Sequence, residues 1–197
     1  PVIPVIAIQK LEHAVPLAEA LVAGGITNLE VTLRTQHGLK AITLIRDQVK
    51  GANVGVGTVC NATEFDSAVD AGANFVVSPG QSDALFDRAL LTNIPFLPGA
   101  VTATEVMASK EAGFNVLKFF PASTSGGAAA IKAFAGPFAD LQFVPTGGIN
   151  LDNAGSYLSL SNVRAVGGSW LTPADAIQNG QWEHITQIAR EASQLGA

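Results

Sequence analysis

The sequence predicts one α/β domain folded as a closed (β/α)8 barrel, the TIM-barrel architecture, and three observations carry that expectation. Short β-rich apolar runs alternate with longer helical stretches along the whole chain, the pattern of βα units around a parallel sheet. Ala23-Gly24, Ala71-Gly72 and Ala112-Gly113 each close a helix just before the second, fourth and sixth strands, where glycine can take a left-handed cap, giving a faint repeat in units of two. The competing doubly wound sheet expects GxGxxG after the first strand, and that motif is missing there.

Eight strands are expected. The first, Val2 to Ile8, is an apolar run, and the second, Asn28 to Leu33, alternates apolar with polar residues. Val54 to Gly57, Phe75 to Ser78 and Phe96 to Pro98 follow as shorter apolar segments. Val116 to Phe119 is apolar except for one lysine, and Gln142 to Pro145 and Val163 to Gly167 each run into a pair of glycines. The helices occupy the intervening segments. Spreading 197 residues over eight units leaves roughly 25 per unit, fewer than in the typical barrel of about 250 residues. The connections must therefore be short, no second domain fits in residues 1–197, and the active site has to come from the strand ends.

Composition narrows the classes of function. With 48% hydrophobic and only 14% charged residues, most of the chain is packed. Sixteen acidic residues outnumber eleven basic ones, and no two basic residues are adjacent, which argues against nucleic acid and acidic membrane surfaces as partners. Cys60 is the one cysteine, so no internal disulfide forms, and a reducing, cytoplasmic setting fits. No apolar run approaches the ~20 residues of a membrane helix, and no leader sequence is visible. The chain opens at Pro1 without a methionine, so upstream residues are expected to have been removed. His13, His37 and His184 are isolated and lack zinc-site spacing, so neither a metal nor a cofactor is expected, and the histidines read as surface or helix-end residues. Cys60, without a neighbouring histidine, reads as inert.

Barrels of this kind carry their chemistry at the C-terminal strand ends. Lys118 stands out because it alone among the lysines lies inside an apolar strand, Val116 to Pro121. Burial there would favour the neutral, nucleophilic amine over the ammonium ion, although a structural ion pair with Glu30 is the plainer alternative. Leu29 to Arg34 puts leucine and valine on one face and Glu30, Thr32 and Arg34 on the other. If the apolar face meets the helices, the acid and the guanidinium point inward. Glu30 can then act as general acid/base and Arg34 can fork onto a substrate carboxylate, unless the two only pair structurally. Thr146-Gly147-Gly148 and Gly167-Gly168-Ser169 end adjacent strands, where barrels commonly hold phosphate on backbone N–H groups.

Taken together, Leu29 to Arg34, Gly57-Thr58-Val59, Ser78-Pro79-Gly80, Lys118 to Ala122, Pro145 to Ile149 and Gly167 to Trp170 resemble the bacterial 2-keto-3-deoxy-6-phosphogluconate (KDPG)/4-hydroxy-2-oxoglutarate (KHG) aldolases. The resemblance runs from Pro1 to the C-terminal helix, and it implies an additional N-terminal helix that this chain lacks. It implies a class I aldolase that reversibly cleaves KDPG to pyruvate and D-glyceraldehyde 3-phosphate without metal. Lys118 would form the Schiff base and Glu30 would move protons. Arg34 and Thr58 would hold the pyruvoyl carboxylate, with Pro79 and Phe120 forming the apolar wall beside it. Thr146 would meet substrate hydroxyls, and Gly147, Gly148, Gly168 and Ser169 the phosphate. A homotrimer is implied as well. Three alternatives stay open: preference for the galactonate epimer or the unphosphorylated keto acid, a phosphosugar isomerase or synthase barrel that forms no covalent intermediate, and a non-catalytic binder of a phosphate ligand, which would not need both Lys118 and Glu30.

Overall fold

The computed structural model describes residues 1–196. Its strands are β1 (Val2–Ile6), β2 (Asn28–Thr32), β3 (Asn53–Gly57), β4 (Val76–Val77), β5 (Phe96–Leu97), β6 (Val116–Phe119), β7 (Gln142–Pro145) and β8 (Val166–Gly168). The helices are α1 (Ala14–Ala23), α2 (Gly38–Gln48), α3 (Ala62–Asp70), α4 (Asp83–Thr92), α5 (Ala103–Glu111), α6 (Gly127–Phe134), α7 (Leu151–Leu158), α8 (Ala174–Gln178) and α9 (Trp182–Ser193). All eight expected strands are present, six of them within one residue of the expected ends, and the first and the eighth need larger corrections. The first stops at Ile6, because the Ile8 carbonyl accepts the Thr35 hydroxyl instead of a ladder partner. The eighth begins only at Val166, since Val163 makes an isolated bridge to Phe143 before the chain turns toward β1.

Every strand pair is parallel. Six strands run in the order β5-β4-β3-β2-β1-β8, and β6-β7 form a second ladder. Isolated bridges cross both seams, Gly99 to Lys118 on one side and Thr146 to Gly167 on the other. The result is an α/β fold with its parallel strands in a curled sheet and helices outside.

The alternation read from the sequence explains which face goes where. Leu29, Val31, Leu117 and Phe119 are fully buried beneath the helical layer, which supplies Leu17, Leu21, Ile42, Ile45, Phe65 and Leu85. Glu30, Thr32 and Lys118 occupy the opposite, interior face and are also buried. Helix ends need their free backbone groups satisfied. Asn61, Ser82, Thr102 and Asn150 each accept an N–H at a helix start. Gly72 and Gly113 take the expected left-handed conformation, but after α1 that role falls to Gly25. Gly24 stays right-handed, and glycine is needed there for another reason: α9 crosses so closely that a Cβ would lie 2.4 Å from the Ala189 Cβ. Among the described residues no helix is long and apolar enough to cross a membrane.

Candidate active site

β2 and β6 face each other across the interior, and their polar residues meet. Lys118 Nζ donates to Glu30 Oε1 at 3.0 Å, with the residues 5% and 3% exposed, so the pair is largely buried. A buried ion pair of this kind is weak evidence for stability, because desolvation offsets much of the attraction. What it provides is proximity: an amine held in hydrogen-bond contact with a carboxylate. The Phe120 ring lies 5.5 Å from the same nitrogen.

Glycines make room for these inward groups. A Cβ on Gly57 would sit 2.2 Å from Glu30 Oε1, and one on Gly167 would sit 2.2 Å from Thr146 Oγ1. Thr58, next to Gly57, is a β-branched residue at φ +65°. Such strain persists only where the surroundings enforce it, and it concentrates at functional sites.

The pair lies on the wall of a cavity of about 220 Å³. Lys118, Glu30, Arg34, Thr58, Pro79, Phe120, Thr146, Gly147, Gly148, Gly168 and Ser169 all line it, so every site residue expected from the sequence converges on one space. Val5 and Ile149 line it too, and sequence reasoning missed both. Val5 lies in register with Glu30, but β1 is apolar on both faces, so alternation could not single it out. Among the described residues no protein carboxylate pairs with Arg34, which leaves its guanidinium free for an external one.

At the end of β7, the strand paired with the lysine's own, the backbone turns through two glycines. Gly147 and Gly148 have φ of +100° and +72°. The Gly147 carbonyl accepts the Ser123 N–H at 3.1 Å, and the Gly148 carbonyl accepts Asn153 Nδ2 at 2.9 Å. In a planar trans peptide the N–H points opposite to the C=O. The N–H groups of Gly148 and Ile149 are thus turned away from those anchors, and among the described residues neither has a protein partner. Successive amides in left-handed turns make anion-binding concavities. Ile149 contributes through its backbone, so its side chain type carried no signal. Gly168 has a packing reason besides, since a Cβ there would lie 1.8 Å from the Trp170 ring. Gly148 needs a correction: a side chain there would first meet Ser123 Oγ, 2.1 Å from the Cβ position, rather than the anion.

The weaker candidates stay outside. His13 packs edge-on against Trp182, His37 precedes α2, and His184 is exposed on α9. Partial burial and then the Glu64 carboxylate push the Cys60 thiol up, away from the reactive thiolate.

A buried lysine hydrogen-bonded to a carboxylate on the wall of a cavity is the equipment of an aldolase working through a lysine imine. Comparison with known proteins narrows that class to a family. The family model described as KDPG and KHG aldolase matches residues 1–188, and the chain belongs to this family. It is 50% identical over 192 residues to the 2-dehydro-3-deoxy-phosphogluconate aldolase of Dickeya dadantii, covering 98% of this chain and 90% of that one. The KDPG aldolase of Legionella pneumophila, solved with pyruvate captured at low pH as a covalent carbinolamine intermediate, superposes with a TM-score of 0.96 at 46% identity over 98% and 94% of the two chains. The Zymomonas mobilis enzyme with 3-phosphoglycerate superposes with a TM-score of 0.93 at 44% identity, covering 99% and 91%.

Proposed function

We propose that this chain reversibly cleaves KDPG to pyruvate and D-glyceraldehyde 3-phosphate through a Schiff base on Lys118, and that it also acts on KHG. The observation that carries the reading is the buried Lys118–Glu30 pair on the wall of a cavity that also reaches the anion cradle. Lys118 gives up a proton and attacks the C2 ketone. The carbinolamine loses water to give an iminium, which withdraws the electron pair of the C3–C4 bond. Glu30, working through a bound water, removes the C4 hydroxyl proton as that bond breaks, and the aldehyde leaves. The resulting enamine is protonated at C3, and hydrolysis of the iminium releases pyruvate and restores the amine.

Arg34 and Thr58 hold the pyruvoyl carboxylate, Pro79 and Phe120 form the apolar wall, and Thr146 meets a substrate hydroxyl. The phosphate sits on the amides of Gly148 and Ile149, with Gly147, Gly168 and Ser169 completing the subsite. The iminium serves as the electron sink, so the cycle runs without metal. Bridges across both strand seams support closure into a (β/α)8 barrel formed by one domain. Family membership supports a homotrimer, and the lone cysteine a cytoplasmic setting.

Mass spectrometry after borohydride reduction with pyruvate tests the mechanism. One reduced pyruvyl group on Lys118 is expected, and none in Lys118→Arg, whose guanidinium keeps the charge but cannot form the imine. An adduct on another lysine, or none at all, overturns it.

A further inference from the structure

We infer that Asn153 is a positioning residue for the phosphate subsite, acting through the Gly148 carbonyl; this rests on the reading of the Gly147–Ile149 turn as that subsite. Asn153 stands at the third position of α7 and uses both ends of its carboxamide. Its Oδ1 accepts the Asn150 N–H at 2.9 Å, closing a reciprocal cap, while its Nδ2 donates to the Gly148 carbonyl at 2.9 Å. The cap alone does not need that second bond. At the start of α5 the same position holds Glu105, whose carboxylate accepts the N–H groups of Val101 and Thr102 and donates nothing. A carboxamide at this position can both close the cap and donate to the loop, which a carboxylate cannot.

The donated bond matters because of the residue that receives it. The 148–149 peptide carries the Gly148 carbonyl on one edge and the Ile149 N–H on the other, so anchoring the first aims the second at the cavity. Gly148, without a side chain and at φ +72°, places little intrinsic limit on rotation of that plane. The Ser123 N–H anchors the preceding plane in the same way, but through the main chain, which side-chain substitution leaves in place. Among the described residues, Asn153 is thus the one side chain hydrogen-bonded to a carbonyl of the Gly147–Ile149 turn.

The test compares kinetics on KDPG and KHG, which lacks the phosphate, with competitive inhibition by inorganic phosphate as a second readout of the subsite. Asn153→Ala is expected to raise KM for KDPG and Ki for phosphate by roughly 3- to 10-fold, the weight of one net hydrogen bond. The values for KHG, and kcat on both substrates, should stay near those of the parent. Asn150→Ala removes the helix cap but keeps the Asn153 donor, so it should lower Tm without changing the KDPG/KHG ratio. Asn153→Asp, which retains the cap acceptor, serves if alanine unsettles the helix start, and it should shift the ratio in the same direction. Equal losses on both substrates in the Asn153 variants would make the residue merely structural and overturn the inference. An unchanged ratio in those variants, with inorganic phosphate still a competitive inhibitor of the parent, would overturn the positioning role and leave the phosphate subsite standing. Absence of phosphate inhibition in the parent would remove the subsite itself.

Discussion

Replacing Gly57 by alanine tests whether the placement of Glu30 governs turnover. The added Cβ would lie 2.2 Å from Glu30 Oε1, 2.7 Å from its Cγ and 2.8 Å from its Cδ. Non-bonded heavy atoms rest at about 3.5 Å, so the side chain must move by on the order of 1 Å. The clash reaches Cγ as well as the tip, so a small rotation of the carboxylate does not relieve it. Gly57 is not among the left-handed glycines, which leaves the steric effect free of backbone strain. Overpacking costs about 1–3 kcal/mol, and a 1 Å misplacement of a catalytic group can lower the rate by about 10²-fold. Gly57→Ala should therefore remain folded with a lowered Tm and lose on the order of 10²-fold in kcat, measured as pyruvate release. Borohydride trapping of pyruvate should survive in part, since Lys118 itself is untouched. Turnover and Tm equal to the parent's would refute the assignment of Glu30 as the proton-transfer group in this geometry.

The same group can be changed chemically: Glu30→Gln should lower kcat by roughly 10²–10⁴-fold while imine formation with pyruvate stays detectable by mass spectrometry, and parental turnover would remove Glu30 from the mechanism. Away from the site, partial burial pushes the Glu105 carboxyl up, but hydrogen bonds from the Val101 and Thr102 backbone and the Thr102 side chain outweigh it and hold the group below the usual carboxylate range. A carboxyl lowered in the folded state contributes stability that is fully present above its unfolded value and fades as pH falls through the folded one. The parent's Tm should thus fall more steeply on the acid side than that of Glu105→Gln, and identical acid limbs would contradict that contribution.

Which residues face the interior was legible in the sequence. Side-chain alternation is a local property of a strand, so the polar set of Leu29 to Arg34 and the lone lysine of Val116 to Phe119 declared their direction without any partner in view. Family motifs then led to the same cavity that the structure shows. The relations between distant segments were not legible. That Gly57 must be glycine follows from where Glu30 lies across two strands, and the Gly148 Cβ direction follows from Ser123 on another loop. Thr58 named itself by motif, but its left-handed backbone appears only in the fold. The Ile149 amide and its anchor through Asn153 left no mark, because an N–H has no side chain to read and its direction depends on what holds the carbonyl of the same peptide. The sequence by itself determined the βα order, the inward polar face and the lone lysine inside a strand, because these follow from short-range periodicity and residue chemistry. Only the tertiary structure decided which of those groups touch and where the amides point, because contacts and peptide orientation are set by chain segments far apart in sequence.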